Sequence, residues 1–354
     1  MGWVVDEAFL RRFPSPGLRE TVKEAIFGLR RPLACLQVEV SSRCPGRCLY
    51  CPRTVFRDSW RGRDLDRDTF GRLWPLMRKS QRVHLQGWGE PLLNAEFFTF
   101  AELARRAGCQ VSTTTCGLRL DAETARRIVA SGIDIVAFSL AGCDPATHEA
   151  ARCGVGLDRV LQAVETLQAE RKRRQAVHLE IHFAYLLLYS ALDSVAGLPA
   201  LMEQLGVHAA VVSTLDFLPD PKLAAEAILP GEVEKIARAE EVLSRAAAAA
   251  AARGLAFDYA LAAREIRGAS CRERIDRTVF VAADGTVSPC VYRNVPAGAL
   301  EGRRLLFGDL RAEDPVAIWE KEGFRRFRER LTAGDPDPVC RACPKRYRNP
   351  RDTG

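Results

Sequence analysis

The sequence predicts an α/β protein built on a parallel sheet, with a small α+β region at its C-terminal end. Two observations carry that reading. From residue 33 to about 254, short apolar runs rich in branched residues alternate six times with stretches of helical period. Six strand–helix units in succession imply parallel strands joined by right-handed crossovers. Past residue 254 the alternation stops, and a hairpin signal followed by a helix takes its place. The expected divisions are a helical extension over 1–32, the α/β core over 33–254 and a C-terminal domain over 255–354.

In the extension, Pro16-Gly17 precedes residues 18–29, where apolar side chains recur at helical spacing, and Pro32 ends the stretch. The first strand is expected over 33–41, the others over 82–87, 109–115, 133–140, 177–186 and 207–216. Helices follow each in turn over 66–79, 95–107, 121–131, 155–173, 192–205 and 231–253. The alanine run from Ala246 to Ala252 lies inside the last of these and reads as strong helix propensity rather than a linker. In the C-terminal region, apolar runs at 278–282 and 286–290 flank Asp284-Gly285. That is a strong hairpin signal, because type I′ turns need positive φ. A helix is expected at about 315–332.

The 354 residues are 47% hydrophobic and 27% charged, as expected of a soluble globular chain with an ample core. No apolar run reaches transmembrane length, and the start of the chain lacks the basic and apolar segments of a signal sequence. A cytoplasmic location without a membrane partner is expected, where the twelve cysteines stay reduced. The net charge of +7 is modest and arginine is scattered, so no nucleic-acid partner is expected and no appended RNA-binding module is visible. The basic tail around Lys345, Arg346, Arg348 and Arg351 is the one stretch that offers itself to an acidic partner.

Chemistry concentrates in Cys44-Pro45-Gly46-Arg47-Cys48-Leu49-Tyr50-Cys51, directly after the first strand. Thiolates select iron–sulfur clusters or zinc, and clusters are usually held by four of them. Here the local count stops at three, which leaves one iron of a cubane open to a ligand that is not protein. A structural zinc site would want a fourth Cys or His nearby, and C-x3-C-x2-C is not a usual zinc spacing.

C-x3-C-x2-C with the aromatic Tyr50 before its last cysteine resembles the radical S-adenosylmethionine (SAM) enzymes. The resemblance implies an open six-unit (βα)6 partial TIM barrel with a [4Fe–4S] cluster on Cys44, Cys48 and Cys51. The open iron would bind the amino and carboxylate groups of SAM, and reductive cleavage would give a 5′-deoxyadenosyl radical that abstracts hydrogen from a substrate. Parallel barrels collect their sites at the C-terminal ends of strands, where this loop falls. Gln86-Gly87-Trp88-Gly89-Glu90-Pro91 resembles the family's Gly-Gly-Glu-Pro motif with Trp88 inserted, and implies that Gly87, Gly89 and Glu90, with Tyr50, line the SAM site. The third strand ends Thr115-Cys116-Gly117, with Cys116 where Asn is common; the fourth ends Ser139-Leu140-Ala141-Gly142, with Ala141 where Asp is common. Ser139 is the expected hydroxyl contact to the SAM carboxylate or ribose. On the fifth strand His178, Glu180 and His182 alternate and should share a face, near substrate or against the helices.

Cys271, Cys290, Cys340 and Cys343 follow the spacing C-x13-G-x4-C, then C-x2-C about fifty residues on. This resembles the opening of the SPASM domain, or the shorter twitch type, since no further cysteine follows. It implies one fully ligated auxiliary [4Fe–4S] cluster; four thiolates would equally suit structural zinc. A fully ligated cluster suits electron transfer and so net oxidation of a peptide, protein or small natural product, with a reductase, flavodoxin or ferredoxin as electron donor. A thiol at a strand end, Cys116 or Cys143, could instead return hydrogen to a substrate radical and give a redox-neutral epimerase. From another class, a non-catalytic iron–sulfur electron carrier would need neither the glycine motif nor the open iron.

Overall fold

In the computed structural model the described residues are 31–261, 271–296 and 298–346, and the helix expected over 18–29 lies outside them. The chain lays down β1 (Leu33–Val38), β2 (Ser80–Leu85), β3 (Gln110–Thr115), β4 (Ile135–Leu140), β5 (Glu180–Leu187) and β6 (Ala209–Thr214). These six pair in parallel in chain order, as the alternation of strand and helix requires. The sheet continues past them at both edges. On one side β7 (Ala256–Tyr259) pairs in parallel with β6. On the other, β8 (Thr278–Val281) pairs in parallel with β1, and β9 (Thr286–Ser288) and β10 (Gly308–Asp309) follow antiparallel. The C-terminal hairpin is thus a continuation of the barrel sheet, which remains open between β10 and β7.

Strand register sorts the side chains into two layers. Leu36, Val38, Val83, Leu85, Val136, Phe138, Ile181 and Phe183 are fully buried on the outer face, against the helices. Gln37, His84, Ser112, Ser139 and Ala184 take the alternate positions and face the concave side. This polar interior is already knitted together: His84 Nδ1 lies 2.8 Å from Ser112 Oγ, and Gln37 Nε2 donates to the Gln86 carbonyl at 3.1 Å.

The helices are α1 (Pro52–Val55), α2 (Arg67–Gly71), α3 (Trp74–Arg78), α4 (Phe97–Arg106), α5 (Ala122–Ser131), α6 (Pro145–Ala151), α7 (Leu157–Arg173), α8 (Leu198–Leu205), α9 (Val233–Ala251), α10 (Pro315–Glu320), α11 (Glu322–Thr332) and α12 (Pro338–Arg341). In α4 the buried residues Phe97, Phe100, Ala101 and Ala104 fall at i, i+3, i+4 and i+7, the stripe that seats a helix on a sheet. Asp121 caps α5 by accepting from the Thr124 N–H, and Gly132 closes it at φ 68°.

Four expectations shift. The helix read over 66–79 breaks into α2 and α3, because Pro75 cannot donate its backbone nitrogen within a continuous helix. The helix read over 315–332 breaks at Lys321, whose ψ of 137° is extended. The fifth strand begins at Glu180, so His178 sits in an exposed turn and not on the strand face. Finally, β7 carries the parallel order past residue 254, the expected end of the alternation. No helix among the described residues is long and apolar enough to cross a membrane.

Candidate active site

The C-terminal ends of the strands open on a cavity of about 320 Å³. Its wall includes Cys44, Cys48, Cys51 and Tyr50 from the loop after β1, Gly87, Trp88, Gly89 and Glu90 after β2, Cys116 after β3 and Ser139 from β4. The loop after β1 is drawn tight by its own backbone. Cys51 N–H donates to the Cys48 carbonyl at 3.1 Å, and Arg47 and Leu49 N–H groups donate to the carbonyls of Cys153 and Ala151. Arg53 donates to the Gly46 carbonyl. A Cβ on Gly46 would lie 3.7 and 3.8 Å from the sulfurs of Cys44 and Cys48, so both thiols close over this glycine.

The second loop needs both of its glycines for close approach. A Cβ at Gly87 would overlap the Glu39 side chain, and one at Gly89 would overlap the Ser41 carbonyl. Glu90 is buried with both oxygens engaged: Oε1 accepts from Thr115 Oγ1 at 2.7 Å and Oε2 from Cys116 N–H at 2.7 Å. Its carboxylate therefore fastens the end of β3 while still bordering the cavity.

Cys116 faces the three-cysteine loop after β1. Its thiol shares a hydrogen bond with Cys44, which holds Cys44 below the usual thiol range. Cys51, by contrast, is pushed up to about 11 by burial. Cys143 lies elsewhere, against Gly197 and with its N–H donating to Ser194 Oγ at 2.9 Å, and it does not line the cavity. His182 pairs with Glu180 at 2.8 Å near the start of β5, far from the strand ends that carry the loops.

Two residues that shape the site, one in the cavity wall and one beneath its glycine loop, were not picked out by sequence reasoning. Arg152 follows α6, is 7% exposed and lines the cavity. Its Nη1 donates to the Tyr50 hydroxyl at 2.8 Å, its Nε finds no partner, and no carboxylate pairs with it among the described residues. A buried cation without a counter-ion is costly, and the wall of a ligand cavity is where the ligand can supply one. Glu39 is the second. Its carboxylate, buried under the loop, accepts from Trp88 N–H at 2.7 Å and from Ala283 N–H at 3.2 Å. Burial raises it to about 7. A charged residue inside an apolar run was the only sequence signal for it; Arg152 had none.

The four C-terminal cysteines also come together. Cys271, Cys290, Cys340 and Cys343 line one compact pocket with Glu273, Tyr292, Arg293, Arg303, Lys345 and Arg346. Burial pushes Cys271 up to about 12 and Cys340 to about 11. Thiols so buried are inert unless a metal centre takes their protons. Three aromatic rings stand between the two sites. Trp88, which borders the cavity, is 5.7 Å from Phe217 and 5.8 Å from Tyr292, and Phe217 and Tyr292 are 5.8 Å apart. The inserted Trp88 thereby joins the wall that Tyr292 shares with the cysteine pocket.

Lys345 and Arg346 are not a surface tail. Lys345 bonds Asp216 and Glu273 at 3.0 Å each, and Arg346 is 4% exposed; Arg348 and Arg351 lie outside the described residues. No three Cys, His, Asp or Glu among the described residues converge on a point that would hold a single metal ion. The thiolates of a cubane each bind a different iron, so they surround a volume rather than meet at one position. Three soft donors around an open cavity and four around a closed pocket are donor sets that fit iron–sulfur clusters.

Comparison with known proteins agrees. The family model of the radical SAM superfamily matches residues 38–183, and that of the iron–sulfur cluster-binding domain SPASM matches residues 271–344. A cofactor-modifying protein for the tungsten-containing aldehyde ferredoxin oxidoreductase of Pyrococcus furiosus is 22% identical over 87% of this chain and 86% of its own. The PqqA peptide cyclase of Xanthomonas campestris is 26% identical over 89% of this chain and 80% of its own. The structure of Streptococcus suis SuiB bound to S-adenosylmethionine superposes with a TM-score of 0.64 at 13% identity, covering 98% of this chain and 86% of that one. The chain therefore belongs to the radical SAM superfamily, with SAM and a [4Fe–4S] cluster as the cofactors of its barrel and an iron–sulfur cluster as that of its SPASM region.

Proposed function

We propose that this radical SAM enzyme oxidatively modifies a peptide, with Cys44, Cys48 and Cys51 holding the cluster that binds SAM and Cys271, Cys290, Cys340 and Cys343 holding the auxiliary one. When bound, the barrel cluster and SAM supply a 5′-deoxyadenosyl radical that removes a hydrogen atom from the substrate. The observation that carries the reading is the joining of three cysteines, the glycine loop and an unpaired buried arginine in one cavity, with a four-cysteine pocket behind a shared aromatic wall.

Each residue has a part suited to its surroundings. Arg152 meets the SAM carboxylate, with Tyr50 fixing the guanidinium through its hydroxyl. Gly87 and Gly89 let the second loop lie close against β1 and present backbone to the methionine end. Glu90 holds the end of β3 in place, and Ser139 offers a hydroxyl from β4. Peptide as the substrate class is supported by the naming of the Xanthomonas relative, a PqqA peptide cyclase. Cys271, Cys290, Cys340 and Cys343 would hold an auxiliary cluster that supplies an acceptor for the substrate's electron, and an external one-electron carrier such as a flavodoxin or ferredoxin would supply the electron needed at the barrel site.

A second reading rests on a specific observation: Cys116, not Cys143, lines the cavity, and its thiol could return hydrogen to a substrate radical, giving epimerisation. Turnover in heavy water separates the two. Solvent deuterium in the product, lost in Cys116→Ala, supports the epimerase; product two hydrogens lighter than substrate supports oxidation.

A further inference from the structure

Four cations line the pocket of the C-terminal cysteines: Arg293, Arg303, Lys345 and Arg346. Two are matched by carboxylates. Arg293 bonds Asp337 at 2.7 Å, and Lys345 lies between Asp216 and Glu273. The other two are not. Arg303 lies over the Phe217 ring at 4.8 Å and pairs with no carboxylate among the described residues. Arg346 is 4% exposed, its Nε has no hydrogen-bond partner, and it too has no carboxylate among the described residues. Burying the Arg346 guanidinium in this way is costly unless an anion lies beside it, and half-buried Arg303 adds its charge to the same pocket.

The anion this pocket can supply is the cluster that its four cysteines would hold. Four thiolates around a [4Fe–4S]2+ core carry a net charge of two minus. One-electron reduction makes it three minus, with no bond formed or broken and no proton required. A fixed positive charge close by in a poorly solvated pocket stabilises the reduced state more than the oxidised one, and so favours electron uptake.

Resting on the auxiliary-cluster assignment above, we propose that Arg303 and Arg346 are positioning charges that raise the reduction potential of the auxiliary cluster and set it as an electron acceptor. The electron it takes is the one a substrate radical loses, with one proton, on oxidation to a closed-shell product. It then leaves to a one-electron carrier. Arg293 and Lys345 contribute less, because their charge is already spent on carboxylates.

The test is an anaerobic redox titration of the reconstituted holoenzyme, followed by electron paramagnetic resonance, for the native chain and for Arg303→Gln, Arg346→Gln and the double variant. The barrel cluster in the same sample is the internal reference. Each Gln variant is expected to lower the equilibrium constant for auxiliary-cluster reduction about tenfold, or about 59 mV for one electron. Arg303→Lys and Arg346→Lys, which keep the charge, are expected to restore most of it while the barrel cluster stays put. An auxiliary potential unchanged in both Gln variants and in their double overturns the inference. Should Arg346→Gln not fold, Arg303→Gln against Arg303→Lys decides by the same criterion. A native chain with about four irons and one titrating centre would overturn the auxiliary-cluster assignment itself, and this inference with it.

Discussion

Glu39 Oε1 accepts a 2.7 Å hydrogen bond from the backbone N–H of Trp88, while its other oxygen accepts from Ala283 across the β1–β8 pairing. One buried carboxylate thus ties the glycine loop to the C-terminal hairpin. Burial raises it from the ordinary 4.5 to about 7. Between those values the folded chain keeps a proton that the unfolded chain has lost, so stability is full below pH 4.5 and falls as pH rises through 7. About 3 kcal/mol is lost across that window. Chemical denaturation at pH 5 and pH 8 should show a drop of this order in the native chain and a much flatter profile in Glu39→Gln. Parallel profiles would remove Glu39 as the cause.

Arg152 should act on SAM affinity more than on folding. A hydrogen bond to a charged group contributes roughly 1.5–3 kcal/mol, so Arg152→Gln should weaken SAM binding by about 10- to 150-fold. Tyr50→Phe, which frees the guanidinium without removing it, should cost less than tenfold. Isothermal titration of cluster-loaded enzyme with SAM gives both numbers. An unchanged affinity in Arg152→Gln would place the SAM carboxylate elsewhere.

Gly89 has no room for a side chain, because a Cβ would meet the Ser41 and Arg43 carbonyls. Gly89→Ala should destabilise the fold by about 1–3 kcal/mol, the usual cost of overpacking a tight site. It should also lower cluster occupancy, since those carbonyls lead directly into Cys44. Gly71→Ala, where a Cβ meets open space, is the matched control. Thermal unfolding and iron content measure both effects.

How much of this could be read from the chain depended on how local each feature is. The C-x3-C-x2-C loop, the two spaced glycines and the Asp284-Gly285 turn are contained within a few residues, so spacing exposed them. The β1–β8 pairing joins Cys35 to Thr278, residues no local pattern connects, and the hairpin therefore looked like a separate element. Arg152 lies in a run, Ala150-Ala151-Arg152-Cys153, that resembles any exposed helix end; only the fold turns it inward beside Tyr50. Lys345 and Arg346 looked like a basic tail for the same reason, because Asp216 and Glu273, which neutralise Lys345, come from distant segments. Pro75 lies inside an unbroken helical period, and the break there comes from its missing backbone donor, which apolar spacing does not register.

The central claim is that Cys44, Cys48 and Cys51 hold a cluster with one iron free for SAM. Its most direct test is the electron paramagnetic resonance of the dithionite-reduced holoenzyme before and after SAM, with 5′-deoxyadenosine assayed in parallel. The native chain should hold about eight irons, show a barrel-cluster signal that SAM displaces, and release 5′-deoxyadenosine. Replacing Cys44, Cys48 and Cys51 together by Ala should halve the iron and abolish both the displaced signal and the product. A native spectrum indifferent to SAM, or a triple variant that still yields 5′-deoxyadenosine, would contradict it.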